Sequence, residues 1–78
     1  MSHADVKYSP PEEKWLVIWH GNYGEQNIVA RKRTKIEAIR TAQGKVTQAL
    51  KRGWSDGTVH VYDKSGELQK IEDVDYAP

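Results

Sequence analysis

Residues 34–53 read TKIEAIRTAQGKVTQALKRG, and this stretch decides the fold. Thr34 with Glu37 three residues on has the form of a capping box. The hydroxyl takes an orphan N–H at the helix start, and the carboxylate reaches back to the cap. Ile36, Ile39, Ala42, Val46, Ala49 and Leu50 then recur at three- and four-residue intervals, which gathers them on one side of a helix. Gly53 is placed to close the helix in a left-handed conformation, with Trp54 behind it positioned to pack back on Ala49 and Leu50. Gly44 falls mid-helix on the exposed side, at a cost of roughly 1 kcal/mol relative to alanine.

Outward from this helix the period changes to two. Asp5 to Tyr8 alternates polar and apolar as a short strand, and Ser9-Pro-Pro-Glu-Glu-Lys14 breaks it, because proline lacks the N–H a ladder needs. Lys14 to His20 is a strand rich in aromatic and β-branched residues, apolar on both faces. Gly21, Asn22 and Gly24 make a turn, and Gln26 to Lys32 forms the return strand. After the helix, Ser55-Asp-Gly57 turns into Thr58–Tyr62, which alternates as a half-buried strand does. Asp63-Lys-Ser-Gly66 is a hairpin turn with Gly66 at the position wanting positive φ, and a weaker strand spans Glu67 to Ile71. The expected order is βββαββ, an α+β fold in which a small antiparallel sheet of four to five strands packs on one helix. All 78 residues form one domain, with 1–4 and 73–78 as frayed tails.

A chain of this length buries only a little over ~60% of its unfolded surface. It has no cysteine, which removes disulfides, thiolate metal sites and thiol nucleophiles and fits a cytoplasmic setting. The longest apolar run is Trp15–Trp19, far below the ~20 residues of a membrane span. The first residues lack the apolar stretch of a secretory signal. The net charge of +1 conceals segregation: residues 1–30 carry −2, residues 31–52 carry +7, and residues 53–78 carry −4.

Trp15 with Val17, Thr34-Lys35 with Glu37-Ala38-Ile39, Val59-His60-Val61, Gly66 with Leu68, and Asp75-Tyr76 follow one another in an order and spacing that resembles the prokaryotic family of unknown function numbered 2188. The resemblance runs over nearly the whole chain and implies a small antiparallel sheet packed on one helix. It implies no activity and no functional residues. Arg31-Lys-Arg33 and Trp19 depart from the family's pattern, which is where any specialised role would lie.

Catalysis needs converging titratable groups, and no catalytic motif is visible. His3, His20 and His60 lack metal-ligand spacing and read as structural or solvent-facing, so neither a metal site nor a cofactor is expected. Asp63 to Gly66 lacks the oxygen ladder of a calcium loop. Glu72, Asp73 and Asp75 read as an acidic solvated end, and no small-molecule substrate or membrane partner is implied.

Two surfaces remain. Arg31, Lys32, Arg33, Lys35, Arg40, Lys45, Lys51 and Arg52 are offset only by Glu37. Arg40 and Lys51 fall in one row of the helix opposite its apolar stripe, Lys45 and Arg52 in a second. Such cations suit nucleic-acid phosphates, above all where four of them meet the positive end of the helix dipole. The alternative is that Glu72, Asp73 and Asp75 fold back and neutralise them.

The second surface follows from having one helix, which covers one face of the sheet and leaves the other open. If Leu16 and Ile18 lie beneath the helix, then Trp15, Trp19, His60 and Tyr62 are stacking or interface groups on the open face. In the opposite parity both tryptophans form the core and the aliphatics face outward. Either way apolar surface stays uncovered, so self-association is expected. The expected function is a small non-enzymatic binding domain for nucleic acid, or alternatively a protein-interaction module that homodimerises or docks through its open sheet face.

Overall fold

The computed structural model describes residues 3–21, 23–53 and 57–74. Strands β1 (His3–Ser9), β2 (Lys14–His20) and β3 (Gln26–Lys32) precede helix α1 (Lys35–Lys51), and β4 (Thr58–Tyr62) and β5 (Leu68–Asp73) follow it. The five strands form one sheet in the order β3-β2-β1-β4-β5.

Tight turns make the neighbouring pairs antiparallel. Ser9 faces Lys14 across a turn of four residues closed by the Glu13 N–H on the Pro10 carbonyl at 3.3 Å, with Glu13 at φ 53°. Asp63 closes the β4–β5 hairpin. Its Oδ1 accepts from the Ser65 and Glu67 N–H groups, both at 2.9 Å, while Gly66 takes the positive φ expected of it. The sheet is mixed rather than wholly antiparallel, because α1 carries the chain from β3 back across the sheet and β4 enters parallel to β1.

The helix begins and ends as its sequence requires. Thr34 is the N-cap, its Oγ1 accepting from the Glu37 N–H at 3.2 Å and donating to Glu37 Oε1 at 3.0 Å. Gly53 ends it at φ 97°, with its N–H on the Leu50 carbonyl. The packing of Trp54 and the turn at Ser55-Asp56 lie outside the described residues, as does the expected tail at 75–78.

The buried face of α1 is rotated from the expected stripe. Ala38, Ala42, Val46 and Ala49 are buried, Ile39 and Leu50 flank them, and Ile36 is 64% exposed. The reason lies across the interface. Ala4, Val6, Trp15, Val17, Val59 and Val61 form the opposing layer with Tyr8 and Trp19 beside it, and such bulk is met by alanines that let the helix come close.

This settles the parity of β2. Trp15, Val17 and Trp19 face the helix, and Leu16, Ile18 and His20 face away. The sheet also reaches further than the expected tails allow: residues 3 and 4 belong to β1, with Ala4 fully buried, and Asp73 belongs to β5.

Candidate functional site

The eight cations do not stay together. Arg31 pairs with Leu16 in the β2–β3 register, so it points away from the helix, and its Nε donates to Glu12 Oε1 at 2.8 Å. Lys35 donates to Gln69 and lies 5.4 Å above the Trp15 ring. The expected pile of charge at the helix start is therefore dispersed.

Arg33, Arg40, Lys45, Lys51 and Arg52 are exposed. Lys45 and Arg52 line a shallow groove of about 290 Å³ with Trp19, Val29, Gln48 and Ala49, between the helix flank and the β3 edge.

The acids expected to neutralise this surface are engaged elsewhere or lie apart from it. Glu72 accepts from Lys70 at 2.7 Å and from Gln43 Nε2 at 2.9 Å, and these bonds, Lys70 first, hold its carboxyl below the usual range. Asp73 is exposed, and Asp75 lies outside the described residues. Among the described residues, Lys32, Arg33, Arg40, Lys45 and Arg52 have no carboxylate within ion-pairing distance.

The four expected stacking or interface groups are split by the sheet. Trp15 is 6% exposed and tilts against Tyr8 at 5.2 Å, so it is a core residue and offers no face to a base. Trp19 is partly buried against the same core. His60 and Tyr62 alternate with buried Val59 and Val61 and occupy the other face. There Lys7 Nζ lies 4.7 Å over the Tyr62 ring, while burial and the charge of Asp5 push the phenol's pKa up.

That other face holds a constellation that chain spacing conceals. Side chains on it alternate with the core residues of each strand, so His3 and Asp5 share it. The β1–β2 register sets His3 opposite His20, and the parallel β1–β4 register sets Asp5 opposite His60. Asp5, only 3% exposed, sits at the centre.

His20 Nε2 is 2.7 Å from its Oδ2, His3 Nε2 is 3.3 Å from its Oδ1, and His60 Nδ1 is 3.8 Å from the same oxygen. Lys7 Nζ approaches Oδ2 at 3.8 Å. The His3 ring stacks between His20 and His60, at 4.2 Å from each. The histidines are thus neither frayed nor scattered. Burial lowers the pKa of His3, aided by the neighbouring His60 and His20 and opposed by Asp5.

Leu16, Ile18, Ile28, Tyr62, Leu68 and Ile71 share this face by register, and Ile71 is 55% exposed. No helix among the described residues is long and apolar enough to cross a membrane. Comparison with known proteins found no matching family model, no matching curated protein and no matching solved structure.

Proposed function

We propose that this chain is a small non-enzymatic, cytoplasmic binding domain that engages nucleic acid through its phosphates, on the outer face of α1 and its junction with β3. The resemblance to family 2188 is part of this proposal and contributes no activity to it. One observation carries the reading: the helix cations are not claimed by the protein's own acids, since Glu72 is held by Lys70 and Gln43.

Arg40, Lys45 and Arg52 are spaced along the helix by about 7.5 and 10 Å at 1.5 Å per residue. That is about two to three nucleotide steps of ~3.4 Å on one strand. With Trp15 in the core, contact rests on charge, and base stacking is confined to what Trp19 offers at the groove.

Binding of a labelled duplex, read by anisotropy, tests this. Five neutralised phosphates give a slope of about −4.5 in log affinity against log salt, a loss of roughly 500-fold between ~50 and ~200 mM. The triple variant Arg33→Glu, Arg40→Glu, Lys45→Glu is expected to abolish binding. Unchanged affinity in that variant refutes the reading. Arg31 is left out of it because Glu12 already holds it.

A second reading, homodimerisation through the open sheet face, is favoured by the exposed aliphatics there. It expects a dimer by light scattering that persists in moderate salt and is split by Leu16→Asp. A monomer throughout the micromolar range rules it out.

A further inference from the structure

We propose that His3, Asp5 and His20 bind a divalent transition-metal ion, zinc fitting their donor set best, on the sheet face away from α1. The inference is independent of the nucleic-acid reading, which uses the opposite side of the sheet.

Two imidazole nitrogens and one carboxylate make a three-ligand nitrogen–oxygen set, as in open zinc sites that leave a fourth position to water or a ligand. The donor atoms of the three side chains all lie within 4.8 Å of one another. Tetrahedral zinc with bonds of 2.0–2.2 Å holds its donors ~3.3 Å apart. The two nitrogen–oxygen separations, 2.7 Å for His20 and 3.3 Å for His3, bracket that value. Small rotations of side chains therefore close the set without moving the strands, whose registers already bring the three together.

The independent sign of a missing cation is Asp5 Oδ1, which is buried and accepts no hydrogen bond. A buried carboxylate oxygen without a partner is costly. His3 Nε2 is 3.3 Å away without hydrogen-bonding geometry, and Lys7, the nearest fixed charge, approaches Oδ2 rather than Oδ1. An ion seated between Oδ1, His3 and His20 satisfies all three at once.

His60 acts as a positioning residue. Its ring stacks on His3, and its Nε2 lies 3.1 Å from Thr58 Oγ1, which fixes the orientation of the ring. The three imidazoles keep between 20% and 28% of their side-chain surface exposed, which leaves an entry path for the ion.

The test is zinc titration of the full chain at neutral pH, by calorimetry or chelator competition, beside thermal melts. One zinc per chain is expected, with a melting temperature that rises with zinc concentration. Affinity is expected to fall on acidification, because protons compete for the imidazoles. His3→Ala and His20→Ala, each shown by circular dichroism to be folded, are expected to lose the one-to-one site. His60→Ala is expected to weaken it about tenfold, and Arg40→Glu to leave it unchanged.

Two results overturn the proposal: a folded wild-type chain that takes up no zinc at micromolar concentrations, or a His3→Ala/His20→Ala double variant that binds as the wild type does. Zinc-dependent shifts of the His3 and His20 imidazole resonances supply a readout independent of stability.

Discussion

Replacing Trp15 by alanine tests the parity of β2, on which every assignment of the two faces depends. Trp15 is 6% exposed and belongs to the cluster between sheet and helix. Removing a buried tryptophan costs about 3–5 kcal/mol through lost transfer and the cavity left behind. The tilted contact with Tyr8 and the Lys35 ammonium above the ring add about 1 kcal/mol, discounted because Lys35 is partly in water. The expected loss is about 4 kcal/mol.

A domain of this length has a total stability of roughly 4–12 kcal/mol, so the variant is expected to be severely destabilised or unfolded. Guanidinium unfolding followed by far-ultraviolet circular dichroism is the assay, since the substitution removes a fluorophore. With a slope of about 2 kcal/mol/M for a small domain, the midpoint falls by about 2 M. Ile71→Ala, on the open face and 55% exposed, is the control and is expected to cost under ~1 kcal/mol. A Trp15→Ala variant that loses less than ~1.5 kcal/mol and also binds oligonucleotides more weakly would refute this parity. It would return the tryptophan to the outer face.

Three further outcomes are expected. A Cβ on Gly57 would collide with the fully buried Val46 side chain. Gly57→Ala should therefore cost about 1–3 kcal/mol, and a double-mutant cycle with Val46→Ala should show a coupling that relieves part of it. His3, whose folded pKa lies below its ordinary 6.5, makes stability fall as pH drops from that value. Between the two pKa values the unfolded chain binds a proton that the folded chain refuses. Urea midpoints in metal-free buffer should decline over that window, and His3→Gln should flatten the decline. Thr34→Ala should cost about 1 kcal/mol by removing the cap on the Glu37 N–H, read as a lower melting temperature.

What the sequence disclosed depended on how local each signal was. The bounds of β2, β3 and β4 were legible because turns and alternation act over a few residues, and α1 because its cap and terminating glycine lie within it. Ile36 misled because periodicity gives an angle but not which neighbour is large. With two tryptophans opposite, the helix turns its alanines inward and leaves Ile36 in water. The parallel β1–β4 pairing was hidden, since it joins residues more than fifty positions apart.

The histidine cluster was missed for the same reason. His3 and His20 are register partners without any spacing motif, and searching for ligand spacing along the chain cannot detect ligands that meet across strands. A signal did exist. Once Trp15 and Trp19 are given to the core, period-two arithmetic puts His3, Asp5, His20 and His60 on one common face.

The two proposed sites can be separated by experiment because of where the sheet stands. Ala4 and Val6 point to the helix while His3 and Asp5 point away, so the backbone of β1 divides one surface from the other. A helix axis packed on a sheet lies about 10 Å from it, and its outer cations lie farther still. Salt at physiological strength screens exposed charges beyond about 8 Å. Charge reversal on α1 is therefore expected to remove nucleic-acid binding while zinc affinity stays unchanged, and His20→Ala should do the reverse. If zinc instead altered duplex affinity severalfold, screened electrostatics could not account for it. The coupling would have to pass through β1, whose alternate residues serve both faces, and metal binding would then be a means of setting the position of the helix.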